Sequence, residues 1–175
     1  MTILLDVDGV IADLAGAFCT HAHVPLAKWT HWDLSRCYDP AVAAAFHAYL
    51  QRPDLYNNVQ AYPGAKQFVQ HLRELGRVVA CTAPYMAHAS SKAQWLQKHF
   101  RFKAHDIVLA ADKTLVRGST LVEDRTDKLV QWCEVHSRPG ILLCRQWNTN
   151  PNHPQVYVAD GYSQAVQLAA FATAR

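Results

Sequence analysis

The chain has 175 residues, of which 50% are hydrophobic and 18% charged, and its formal net charge is +3. That length suits one domain with room for a small insertion, and the apolar fraction excludes an intrinsically disordered chain. The mild positive surplus suits an anionic small molecule and is too weak to argue for a nucleic-acid polymer, and no Lys/Arg run stands out.

The first element is a short β-type run over residues 2–7 that ends in Asp6-Val7-Asp8-Gly9-Val10. Asp6 and Asp8 interrupt the apolar stretch at once, which argues against a signal peptide. Residues 14–62 come next and are rich in alanine and in aromatics, among them Phe18, Trp29, Trp32, Phe46, Tyr49 and Tyr56. Residues 41–50 have a helical composition, and the whole stretch is predicted to be a small helical cap. A regular rhythm follows. Ala65, Phe68, Val69, Leu72 and Leu75 make one stripe of a 3.6-period helix, and Gly76 reads as its C-terminal cap. Short apolar runs at 78–81, 107–110, 120–122, 141–144 and 156–158 predict strands covered on both faces. Helices are expected at 88–100 with Trp95 and Leu96 inward, from near Thr126 with Leu129, Val130 and Cys133, and from Ser163 to Ala174.

Strands that alternate with helices predict an α/β fold with a parallel sheet and right-handed crossovers. The expected division is a core of residues 1–13 and 63–175 and a cap of residues 14–62. No apolar run approaches the ~18 residues of a membrane span. The five cysteines are odd in number and lack C-x-x-C spacing, which predicts reduced core thiols in a cytoplasmic protein. His21 and His23 are close, but no further ligand pattern supports zinc.

In parallel sheets, ligands bind at the carboxyl ends of the strands. Asp6 and Asp8 stand at such an end, and Gly9 permits the chain to turn there. Thr82 follows the 78–81 run and, with the amides around Ala83, offers donors for phosphate oxygens. Lys113 follows the 107–110 run, and Glu123-Asp124 ends the 120–122 run. Each has an ordinary reading alone: a turn, a helix cap, a loop lysine, an acidic helix start. Together they would gather Asp, Thr, Lys and Asp at one edge of one sheet. Asp127 at a helix start reads as a cap, and Lys92 reads as part of a solvated helix face.

This order resembles the haloacid dehalogenase superfamily, and more closely its 5′(3′)-deoxyribonucleotidase family. The segments DVDGVIAD, YPGAKQFVQHLRELG, CTAPY, KAQWLQKHF and DKTLVRGSTLVEDR carry the resemblance. It implies a three-layer Rossmann-like core with the cap inserted after the first strand. It also implies a magnesium-dependent phosphatase acting on nucleoside monophosphates. Asp6 would attack phosphorus to give an aspartyl-phosphate, with Asp8 as general acid and base. Mg2+ would be held by the Asp6 carboxylate, the Asp8 backbone carbonyl and Asp124, with Glu123 touching it through water. Thr82, Lys113 and the amides of Gly9, Val10 and Ala83 would hold the phosphoryl oxygens. The family commonly has Asp-Asp where Glu123-Asp124 stands, and an aromatic residue where Leu14 stands. Leu14, Trp32, Phe46 and Tyr49 are the candidates for contact with the base. The implied partner is a nucleoside monophosphate, without nucleic-acid polymer or membrane, and a homodimer is compatible with the reading. A sugar phosphate is the alternative substrate. A phospho-receiver domain is disfavoured because its acidic pair comes first, and a decayed binding domain because all five polar positions are intact.

Overall fold

The computed structural model describes residues 1–83 and 85–173. Six strands form one parallel sheet in the order β3-β2-β1-β4-β5-β6. They are β1 (Thr2–Leu5), β2 (Arg77–Thr82), β3 (Ile107–Leu109), β4 (Thr120–Glu123), β5 (Gly140–Leu143) and β6 (Val156–Ala159). The helices are α1 (Leu14–Ala22), α2 (Pro40–Leu50), α3 (Ala65–Leu75), α4 (Ala89–Phe100), α5 (Thr126–His136) and α6 (Tyr162–Thr173). All six predicted strands are present. The predicted end of the last helix at Ala174 lies outside the described residues. Among the described residues, no helix is long and apolar enough to cross a membrane.

The period-2 geometry of strands explains the layering. Ile3 and Leu5 enter one core with Val78, Ala80, Val122, Ile141 and Leu143. Leu4 enters the opposite core with Val79, Cys81, Leu121 and Leu142. The first core is covered by α3, α4 and α6 through Phe68, Leu72, Leu96, Ala165 and Ala169. The second is covered by α5 through Leu129, Trp132 and Cys133. Each fully buried large side chain of this kind contributes about 1.5–3 kcal/mol. The α3 stripe is buried as its periodicity predicts, and the Gly76 amide caps the helix by donating to the Leu72 carbonyl.

The connection from β1 to α3 contains α1, α2 and three short 3-10 turns. Asp13 caps α1 by accepting the Gly16 amide at 2.8 Å. Asp39 caps α2 through the Val42 amide, and Pro40 occupies the first turn, where its missing N–H costs nothing. Phe18, Trp29, Phe46 and Tyr49 pack ring against ring between these helices. The two ends of this connection run side by side. Ala12 and Ala61 form an antiparallel bridge, and the Asp13 amide donates to the Gln60 carbonyl at 2.8 Å. That pairing sets the helices over the carboxyl ends of the strands.

Candidate active site

Asp6 follows directly on β1, and its amide donates to the Val122 carbonyl of β4 at 2.9 Å. The chain then turns at Gly9, whose φ of +72° favours glycine. Space forbids a side chain there too: a Cβ would lie 2.0 Å from Asp124 Oδ2. Residues distant in sequence clamp the turn. Arg145 donates to the carbonyls of Gly9 at 2.5 Å and Val10 at 3.1 Å, and the Tyr162 hydroxyl donates to Val10 at 2.6 Å.

Lys113 sits in a 3-10 turn between β3 and β4 and is buried. Its Nζ lies 2.7 Å from Asp6 Oδ1 and 2.5 Å from Glu123 Oε2. Burial alone would lower the Lys113 pKa, but these two carboxylates outweigh it and hold the ammonium firmly charged. Glu123 also accepts the amides of Asp124 and Arg125 on Oε1. Asp124 accepts the Trp147 indole N–H on Oδ2 at 2.7 Å, and its own carbonyl accepts from Asn148. Burial, and then the charge of Glu123, pushes Asp6 up to about 7. Burial, and then the charge of Asp6, pushes Asp124 up to about 6.

Asp8 is held from two sides. Lys92 Nζ donates to its Oδ2 at 2.6 Å, and the Tyr56 hydroxyl donates to its Oδ1. Lys92 also donates to Thr82 Oγ1 at 3.0 Å, which ties the end of β2 to the acid. Burial, and then the Asp8 charge, raises the Tyr56 pKa well above its usual value, so that hydroxyl stays a donor. Lys92 corrects a sequence-level expectation: its side chain is 0% exposed instead of solvated. The helical period contains the signal, since Trp95 and Leu96 point inward and Lys92 lies three and four residues before them.

A cavity of about 220 Å³ opens over these groups. It is lined by Asp6, Asp8, Gly9, Thr82, Ala83, Lys113, Glu123 and Asp124 on the sheet side. Leu14, Trp32 and Phe46 line its other wall, together with Trp29 and Trp147, which sequence reasoning did not single out. Arg125 and Lys128 also face it. Tyr49 does not. It is buried against Phe18 and His21 and borders a separate cleft on the far side of α1. Val10 is fully buried outside the lining, and the Gly9 amide is already taken by the Ala12 carbonyl at 3.0 Å. Asp127 is no cap either: it lies in the first turn of α5 and pairs with Arg125 at 2.5 Å.

The donor set fits a hard divalent cation. Asp6, Glu123 and Asp124 each bring a carboxylate oxygen within 4.8 Å of the others. Asp6, Asp8 and Glu123 pair with two ammonium groups, Lys92 and Lys113, and with Asp124 beside them the carboxylates exceed these cations by two charges. Oxygen ligands and a doubly negative excess suit a cation of the magnesium class. Glu123 has both oxygens engaged by Lys113 and by backbone amides, so Asp6 and Asp124 are the freer donors.

Comparison with known proteins agrees with this geometry. The model of the 5′ nucleotidase, deoxy (pyrimidine), cytosolic type C protein family (NT5C) matches residues 1–175. A protein of Bordetella pertussis with the provisional name 5′(3′)-deoxyribonucleotidase is 31% identical over 138 residues, covering 71% of this chain and 74% of that one. The human cytosolic-type 5′(3′)-deoxyribonucleotidase is 26% identical over 140 residues, covering 70% of each chain. In fold, a haloacid dehalogenase-like hydrolase from Xanthomonas campestris superposes with a TM-score of 0.63 at 13% identity, covering 100% of this chain and 98% of that one. The chain belongs to the 5′ nucleotidase, deoxy (pyrimidine), cytosolic type C family and is a phosphoric monoester hydrolase.

Proposed function

We propose that the protein hydrolyses nucleoside or deoxynucleoside monophosphates to nucleoside and phosphate, with Mg2+ as cofactor and Asp6 as nucleophile. The observation that carries the reading is the placement of Asp6: at the tip of β1, 2.7 Å from the Lys113 ammonium and within the Asp6-Glu123-Asp124 carboxylate cluster. An anionic carboxylate must approach an anionic phosphate, so the site has to supply positive charge. Asp6 and Asp124, with the Asp8 backbone carbonyl, would hold the ion. When bound, Mg2+ would neutralise charge on the phosphoryl oxygens.

The rest of the chemistry falls to the chain's own groups. An Asp6 oxygen forms a bond to phosphorus as the ester P–O bond breaks, giving an aspartyl-phosphate. Asp8, whose two oxygens accept from Lys92 and Tyr56, would take up a proton, give it to the departing nucleoside oxygen, and then take one from the water that cleaves the aspartyl-phosphate. Tyr56 and Lys92 fix both Asp8 oxygens, so the acid is aimed before substrate arrives. Thr82, the Ala83 amide and Lys113 would hold the phosphoryl oxygens. Glu123 acts by fixing Lys113. Residues 14–62 would act as the cap, with the base against Leu14, Trp29, Trp32 and Phe46.

The test is phosphate release from a panel of ribo- and deoxyribonucleoside monophosphates and sugar phosphates, with and without Mg2+. Metal-dependent turnover confined to the nucleotides is the expected outcome. Equal rates on sugar phosphates, or rates unchanged by chelator, would remove the substrate or the cofactor assignment respectively.

A further inference from the structure

The loop between β5 and β6 reaches the site from the far end of the sheet, and Trp147 is the residue that touches both sides of the cavity. Its indole N–H donates to Asp124 Oδ2 at 2.7 Å. Its ring faces Trp29 with centroids 6.2 Å apart and planes at 53°. The loop is held firmly at three more points. Arg145 grips the Gly9 and Val10 carbonyls, Asn148 donates to the carbonyls of Asp124 and Leu143, and Gln146 donates to the Leu26 carbonyl at 2.7 Å. A carboxylate oxygen that accepts a fixed indole N–H cannot rotate freely. Asp124 thereby has one oxygen committed to the indole, within a group whose ligand oxygens from Asp6, Glu123 and Asp124 lie within 4.8 Å of one another.

We infer that Trp147 is a positioning residue for the cation site: its N–H orients Asp124 for metal, while its ring forms part of the wall against Trp29. The inference rests on the Mg2+ reading above. Groups that hydrogen-bond a metal ligand commonly govern its affinity by 10- to 100-fold. The two functions of Trp147 separate by atom. Trp147→Phe keeps an aromatic ring and deletes the donor. Trp147→Ala deletes both.

The experiment is titration of Mg2+ alone into the full chain by isothermal calorimetry, together with KM and kcat for a nucleoside monophosphate at saturating metal. Trp147→Phe is expected to weaken Mg2+ binding roughly tenfold and to leave KM at saturating metal within about twofold. Trp147→Ala should weaken Mg2+ similarly and also raise KM. A matched control is Trp132→Phe, which deletes another indole bond, to the Val116 carbonyl at 3.0 Å, beneath the opposite face of the sheet. The control should lower the melting temperature without changing Mg2+ affinity. If Trp147→Phe binds Mg2+ like the wild type, or if Trp132→Phe weakens it equally, the positioning role is overturned. A wild type that binds no Mg2+ would overturn the metal reading itself, which the first titration of the series decides.

Discussion

On the sheet side of the cavity, Asp6, Asp8, Glu123 and Asp124 are each held by a specific donor: Lys113, Lys92 with Tyr56, backbone amides, and Trp147. On the facing wall, Trp29 and Phe46 are held by ring packing, and Trp32 is 47% exposed with the Arg125 guanidinium 4.2 Å from its ring centroid. Buried charges tolerate few arrangements, because each lost partner leaves an ion in low dielectric. Aromatic packing tolerates many, because contact energy is weakly directional. The sheet side is therefore suited to fixed chemistry and the facing wall to variable selectivity.

The largest expected break in this contrast is Asp6→Asn. It should lower kcat by roughly 10⁴-fold or more while the melting temperature holds or rises, since a buried charge that burial disfavours is removed. Undiminished phosphate release would end the nucleophile assignment. Lys92→Met comes next. It keeps most of the buried aliphatic stem but frees one oxygen of Asp8 and the Thr82 hydroxyl, so kcat should fall roughly 10²-fold. A change confined to thermal stability would show that Lys92 only packs.

On the facing wall the effects should be smaller and appear in KM. Phe46→Ala is expected to raise KM for a nucleoside monophosphate about tenfold, as for the loss of one base-stacking contact, with kcat nearly kept. Tyr49→Phe, on the other side of α1, should leave KM unchanged. If both variants shift KM alike, the wall has no specific role.

The smallest signal is a proton count. Asp6 near 7 and Asp124 near 6 keep protons that the unfolded chain has already released, so the metal-free protein should lose stability as pH rises from about 4 to about 7. Mg2+ needs both carboxylates ionised. Binding at pH 6 should therefore release roughly one to two protons, and its affinity should rise with pH and level off above about 7. Calorimetry in two buffers of different ionisation enthalpy measures that release, and a value of zero would show that the cation binds elsewhere.

The same contrast explains what could be read from sequence. The strands were legible because fully buried parallel strands are continuous apolar runs, and Asp6, Thr82 and Glu123-Asp124 were legible because they end such runs. Helix α1 was less so: LAGAFCTHA lacks a clean polar face and contains a glycine. The side that Tyr49 faces was not legible, because composition marks an aromatic residue but not its direction, which depends on how α1 and α2 pack. The closure of the Gly9 turn on Ala12 was not legible, because it is a backbone pairing with no side-chain signature. Lys92 was readable from its spacing to Trp95 and Leu96. What hid it was the general tendency of lysine to be solvated, which a buried acid partner overrides.

The clamp on the Gly9 turn has a consequence for synthesis. Arg145 and Tyr162 lie 136 and 152 residues after Gly9 and Val10 respectively. At the usual pace of translation that interval takes on the order of ten seconds. The Asp6 strand thus leaves the ribosome well before the residues that clamp its turn, which cannot be locked until β5 and the start of α6 have followed. Nascent chains that stop short of Arg145 and Tyr162 would carry Asp6 and Asp8 on an unfixed turn, so hydrolytic activity should appear only once both residues have joined the fold.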